Sequence, residues 1–187
     1  YLLEETYELF DAVRGGNLEE LRDELGDVLL QVLFHARIAE EATHQAFSID
    51  DVADALVRKL GNRVPAVLAG ESISLEDQLT QWEQRKALEK AARASCVDDI
   101  PTAQPALLLA QKVIARVQNA GLPADLIPES ITTVTVSADC DAENELRTTV
   151  LEFMDTVRAA EKAIAAARGE IGGAASAPTE GEWRAHW

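Results

Sequence analysis

LEELRDELGDVLLQVLFHARIAEE, running from Leu18 to Glu41, decides the fold of this chain. Its apolar residues Leu21, Leu25, Val28, Leu29, Val32, Leu33 and Ala36 recur at intervals of three and four, the period of one helix face. Leu30 and Phe34 widen that face almost all round, so the segment reads as a central helix buried on nearly every side. Glu24 and Asp27 lie one turn apart within it, and Asp27 has apolar neighbours in Leu25, Val28, Leu29 and Leu30. An ionised carboxylate cannot be buried cheaply without a partner. This pair must therefore be protonated, paired or bound to a cation.

The rest of the chain reads as helix on either side of this segment. Leu2 to Val13 forms a helix that stops at Gly15-Gly16-Asn17. Ser48 followed by Asp51 opens a third helix, with Val52, Leu56 and Leu60 inward until Gly61-Asn62 and Pro65 weaken it. Ser74 followed by Asp77 opens a fourth, carrying Leu79, Trp82 and Leu88. After Asp98-Asp99-Ile100-Pro101 breaks the pattern, a fifth helix starts near Pro105 and ends at Gly121-Leu122-Pro123. Ile131 to Val136 alternates Thr and Val, but a lone strand has no partner here and is expected to be extended loop. From Ala142 to Arg168, Leu146, Val150, Phe153, Val157, Ala160 and Ile164 make a heptad-like seam, expected to pack on the chain's own helices. A dimer contact is the sharper reading of that seam. Gly169 closes the helix, residues 172–177 form a flexible Gly/Ala stretch, and Trp183 and Trp187 end the chain. The predicted fold class is all-α, a four-helix bundle followed by a second helical half.

The chain has 187 residues, with 17 Lys and Arg against 33 Asp and Glu, a formal net charge of −16. A nucleic-acid polymer is excluded as a partner, because phosphate neutralisation needs a basic surface. No apolar run is long enough for a membrane helix, so no membrane partner is expected. Cys96 and Cys140 form no Cys-x-x-Cys pair, which points to a reducing cytoplasm and away from zinc. The sequence opens without Met inside a helical pattern, and residues upstream are expected to be missing.

Glu4, Glu5 and Glu8 share one face of the first helix, with Glu4 and Glu8 at i and i+4. If the short Gly15-Gly16-Asn17 connection folds two helices antiparallel, Glu-Glu-x-x-Glu and Glu-x-x-Asp face each other across the seam, as in metal sites built in bundle cores. Oxygen-only ligation favours Mg²⁺ or Mn²⁺ over zinc or copper. His35, two turns beyond Asp27, is a pocket-lining or structural histidine. A metal-charged acidic cleft calls for an anionic ligand. Lys59 and Arg63, i and i+4 on the third helix, and Trp82 and Lys86, i and i+4 on the fourth, offer a phosphate clamp and an aromatic platform.

Leu3-Glu4-Glu5-Thr6-Tyr7-Glu8 followed by Asp23-Glu24-Leu25-Gly26-Asp27-Val28-Leu29-Leu30-Gln31 resembles the signature of MazG nucleoside triphosphate pyrophosphohydrolases, an all-α family. The likeness continues through Asp54 to Leu60, Gln81-Trp82-Glu83-Gln84, Lys86, Asp98 to Pro101 and Pro105 to Lys112, covering roughly the first 125 residues. It implies that Glu4, Glu5, Glu8, Glu24 and Asp27 bind Mg²⁺ and carry catalysis, with Mn²⁺ a possible substitute. It further implies that Lys59, Arg63, Trp82 and Lys86 bind the nucleotide. Asn62 stands where an arginine is common in the family. The implied reaction converts (d)NTP and water to (d)NMP and pyrophosphate, in the clearing of non-canonical or oxidised nucleotides, by a homodimer or higher homo-oligomer. The alternative is a catalytically silent module that senses nucleotides or docks a partner.

The division implied is a catalytic domain over residues 1–97 and a degenerate second copy over 98–187. Glu145-Leu146-Arg147 before Glu152 and Asp155 echoes Glu20-Leu21-Arg22 before Glu24 and Asp27. The matching Glu-Glu-x-x-Glu is absent there, so the second half is expected to be structural.

Overall fold

Gly16 ends the first helical run because its φ of 72° is left-handed, where an L side chain is strained. Its N–H donates to the Ala12 carbonyl at 3.1 Å, closing α1 (Leu2–Gly15). Asn17 then caps α2 (Leu18–Glu40), its side chain accepting from the Glu19 N–H at 3.0 Å. The turn is too short to do anything but fold α2 back along α1, and the two helices pack on each other.

This computed structural model describes residues 1–89, 93–169 and 176–187, with the side chains of Glu83 and of residues 86–89 outside that set. The expected flexible stretch at 172–177 lies outside it for residues 172–175, and so does the side chain of Leu88. The described residues are helical without a strand, as expected. They form two compact units, Tyr1–Ala87 and Leu88–Trp187. This division falls ten residues before the one expected at 97/98. Packing places the residues just before 97/98 in the second unit: Val97 is buried in its hydrophobic cluster, and Cys96 packs against that cluster.

In the first unit α3 (Ile49–Arg63) opens on a complete capping box. The Ser48 hydroxyl accepts from the Asp51 N–H, and the Asp51 carboxylate accepts from the Ser48 N–H. Pro65 then sits at the first position of α4 (Pro65–Leu68), a single turn that the sequence reading did not separate out. Ser74 caps α5 (Leu75–Glu89), accepting from the Asp77 N–H at 3.0 Å.

The burial expected of α2 is not found. Among the described residues of this unit the buried hydrophobic side chains are Ala12 and Ala36. Leu25, Leu29 and Phe34 are 52%, 57% and 56% exposed, and Asp27 is exposed as well. α2 packs against α1 and α3, which cover one side of it and leave the wide apolar face open. Leu56 and Leu79, expected inward, are exposed for the same reason.

The second unit closes its own core. The seam of α8 (Ala142–Arg168) is buried at Leu146, Val150, Phe153, Val157, Ala160 and Ile164, and it packs on α6 (Ala106–Asn119), as expected. Leu109, Val113 and Val117 of α6 meet it. α7 (Glu129–Thr132) takes the first two residues of the Thr/Val segment into a helical turn, burying Ile131, and 133–137 follow without regular structure. α9 (Glu180–His186) returns to α8 and seats Trp183 in the core, its indole N–H donating to the Ala120 carbonyl at 3.2 Å.

Candidate active site

Chain distance from the turn sets which carboxylates meet. Glu8 and Glu24 stand equally far from Gly16 along the chain, and so do Glu5 and Asp27, so an antiparallel pair of helices lays each opposite its counterpart. Carboxylate oxygens of Glu5, Glu8 and Glu24 lie within 4.8 Å of one another. Glu5 and Glu24 are half-buried and Glu8 is exposed. One oxygen of Glu24, Oε2, is buried with no hydrogen-bond partner.

Electrostatics shows the cost of this arrangement. Burial, then Glu8, Asp27 and Glu4, push the Glu5 carboxyl above the ordinary carboxylate range. Burial, followed by Asp27, Glu5, Glu20 and Asp23, does the same to Glu24. Each of these neighbours is itself negative. Such a group is relieved by protons or by a cation.

Of the five expected carboxylates, Glu5, Glu8 and Glu24 are thus brought within reach of one ion. Asp27 and Glu4 are exposed and stand outside that triad, although each acts on Glu5 through its charge. His35 is exposed on α2 and takes no part in the triad. Gln31, which sequence reasoning passed over, donates from Nε2 to Glu5 Oε1 at 3.4 Å. Its position one turn after Asp27, on the same face, was the available signal.

On the expected nucleotide side, the guanidinium of Arg63 lies over the ring of Trp82, 4.9 Å from its centroid. Arg63 is buried and Trp82 half-buried, so these two residues hold α3 and α5 together. Arg85, also unforeseen, strengthens the junction: its Nη1 donates to the Asn62 carbonyl at 2.7 Å, near the electronegative end of α3. It follows Trp82 by three residues on the same helix face, a spacing visible in the sequence. Lys59 is exposed on α3. Lys86 lies on α5, with its side chain outside the described set.

A helical hairpin that presents opposed carboxylates with a buried unsatisfied oxygen, beside a helix carrying Lys and Arg, defines an all-α, carboxylate-rich binding site. The comparisons with known proteins fit this class. The MazG nucleotide pyrophosphohydrolase domain matches residues 1–68. A nucleoside triphosphate pyrophosphohydrolase of Mycolicibacterium smegmatis is 72% identical over 196 residues, covering 100% of this chain and 60% of that protein. Its counterpart in Mycobacterium tuberculosis is 66% identical over 194 residues, covering 100% of the chain and 59% of the relative. An uncharacterized 26.1 kDa protein of Streptomyces cacaoi is 43% identical over 173 residues, covering 86% of this chain and 71% of its own length. The chain belongs to the MazG pyrophosphohydrolase family. It spans about three fifths of the length of the two mycobacterial relatives.

Proposed function

We propose that this chain hydrolyses nucleoside triphosphates to the monophosphate and pyrophosphate, with Mg²⁺ held by Glu5, Glu8 and Glu24 and completed by Asp27. The observation that carries the proposal is the buried, partnerless Glu24 Oε2 within a triad of carboxylates whose oxygens lie within 4.8 Å. The donor set fits a hard divalent cation, because every ligand offered is oxygen and, among the described residues, the charges that raise these carboxyls are all negative. Mn²⁺ is the natural substitute. When bound, the metal supplies charge neutralisation at the phosphates and lowers the pKa of a coordinated water.

The protein's own groups do the rest. Lys59, Arg63 and Lys86 take phosphate oxygens, and Trp82 walls the base. Arg63, seated on Trp82, ties the phosphate clamp to the aromatic wall. Glu4, exposed beside the triad and outside it, is the carboxylate left over to accept the proton of the attacking water. Stacking on the Trp82 ring accepts any base, which suits an enzyme that clears non-canonical or oxidised nucleotides. The wide apolar face of α2 supports a homodimer or higher assembly. Among the described residues no helix is long and apolar enough to cross a membrane. The formal net charge of −16 disfavours a nucleic-acid polymer as partner, and the cytoplasm is the compartment we propose. The residues after 97 act as the structural remnant of a second copy, since Asp155, the counterpart of Asp27, is paired with Arg158.

The test is pyrophosphate release from a panel of canonical and oxidised NTPs and dNTPs, with Mg²⁺ and with EDTA, alongside Glu24→Gln. Mg²⁺-dependent release that Glu24→Gln lowers by about 100-fold or more is expected. Metal-dependent NTP binding without any product would instead assign the chain to a silent sensing module.

A further inference from the structure

We infer that Gln31 is a positioning residue for the metal site, fixing Glu5 in the orientation in which it receives the cation. The inference rests on the metal reading given above. Gln31 lies seven residues beyond Glu24 and four beyond Asp27 on α2, so all three share the face that meets α1. It is half-buried, and its Nε2 donates to Glu5 Oε1 across the helix pair. Among the described residues it makes the one side-chain hydrogen bond into the triad from outside, at 3.4 Å.

The chemistry of the donor matters. Glu5 is surrounded by Glu4, Glu8 and Asp27, which repel its charge; Glu8 also hydrogen-bonds it, but that bond needs a proton shared between two ligands and is given up when both turn to a cation. A lysine or arginine here would steady Glu5 but would also neutralise it and compete with a divalent cation. A neutral carboxamide occupies one lone pair of Oε1 and leaves the full negative charge, with Oε2, for the metal. Partners of this kind set the orientation of a metal ligand, and their loss costs roughly 10- to 100-fold in metal affinity.

The test is Mn²⁺ titration of the whole chain, followed by electron paramagnetic resonance, for wild type, Gln31→Met and Glu24→Gln. Methionine keeps the length and helix preference of glutamine and removes the donor; Gln31→Ala serves if the methionine variant is poorly folded by circular dichroism. The expected result is Mn²⁺ binding at least tenfold weaker in Gln31→Met, with a broadened bound-metal spectrum. The Mg²⁺ concentration for half-maximal turnover should rise by a similar factor, while the KM for NTP at saturating Mg²⁺ stays within twofold. Wild-type Mn²⁺ affinity in Gln31→Met, with affinity lost in Glu24→Gln, would overturn the role of Gln31 and leave the metal site standing. Mn²⁺ affinity indifferent to Glu24→Gln would overturn the metal reading and this inference with it.

Discussion

The two units of this chain are made from the same material and finished differently. α2, with 23 residues, and α8, with 27, both carry apolar residues at helical spacing along with acidic groups. α8 loses its apolar seam to α6 and α9, and Trp183 completes a cluster that excludes solvent. α2 leaves Leu25, Leu29 and Phe34 more than half exposed. Away from the exposed pairs of Arg22 with Asp23 and Arg37 with Glu40, the acidic groups divide in a similar way. In the second unit Glu143 pairs with Arg147, Asp155 with Arg158, Glu182 with Arg168 and Asp125 with Arg184. In the first, Glu5, Glu8 and Glu24 face one another. A unit that buries its apolar seam and pairs most of its charges is a scaffold, although Glu161 Oε2 stays buried there without a partner. One that leaves both open is built to receive something, and here the open charges and the open apolar face lie on the same pair of helices.

The largest expected effect tests the closed unit. Trp183→Ala removes a fully buried indole and leaves the Ala120 carbonyl without its donor, which should cost about 3–5 kcal/mol in denaturant unfolding of the second unit. Leu29→Ala in the first unit should cost less than about 0.5 kcal/mol at low protein concentration, since its side chain is already solvated. Equal costs would erase the contrast between the units. Next in size, Phe34→Asp places a charge in the open face of α2. If a second copy covers that face, sedimentation velocity should show the assembly falling to monomer at micromolar concentration while helical content persists. An unchanged sedimentation coefficient would remove α2 from the interface.

Acid should drive the two units in opposite directions. Hydrogen bonds from Arg168 and Thr179 hold Glu182 far below the usual carboxylate range, and Arg184 holds Asp125 below its own. Their stabilisation is present above the unfolded values of about 3.9 to 4.3 and is lost as pH falls through the lowered folded values. α9 should therefore loosen below about pH 4. Glu5 and Glu24 are raised, so folding binds their protons more tightly than the unfolded chain does. Without divalent metal, the first unit should firm as pH falls from 7 toward about 4.3, the ordinary glutamate value. Hydrogen exchange followed helix by helix in EDTA, corrected for intrinsic rates, reads both changes. Adding Mg²⁺ should cancel the gain in α1 and α2, because cation and proton compete for the same oxygens. Parallel responses of the two units would show that their carboxylates are not differently employed.

Much of this was legible from local chemistry. The caps at Ser48, Ser74 and Asp141 follow from side chains acting on backbone within a few residues, and the stops at Gly16 and Gly169 from glycine's left-handed backbone. The encounter of Glu8 with Glu24 follows from equal distances to one turn. The surroundings of α2 were not legible, because a 3.6-residue period reports which side of a helix is apolar and says nothing of how much protein covers it. Asp27 was expected to be buried on that account, and it is exposed. The stacking of Arg63 on Trp82 and the bond from Arg85 to Asn62 depend on how α3 meets α5, which no spacing within either helix specifies. Gln31 was hidden for a different reason. Its spacing from Asp27 puts it on the acidic face, but only its partner across the pair, Glu5, distinguishes it from any other neutral polar residue there.

Helix capping should be indifferent to the contrast, and this supplies its finest control. Ser48 with Asp51 opens α3 in the first unit, and Thr179 with Glu182 opens α9 in the second, each as a reciprocal box. Ser48→Ala and Thr179→Ala each remove one acceptor for an N–H at a helix start, a loss of about 1 kcal/mol wherever the helix lies. The energy should be the same and the readout different. In the second unit α9 carries Trp183 into the core, so the loss should appear in the global unfolding midpoint. In the first, α3 rests on little buried surface, and the loss should appear as faster exchange confined to residues 49–53 with the midpoint unmoved. A global shift from Ser48→Ala would mean that α3 is locked into a cooperative core after all, larger than the buried residues described for this unit, such as a second copy would supply.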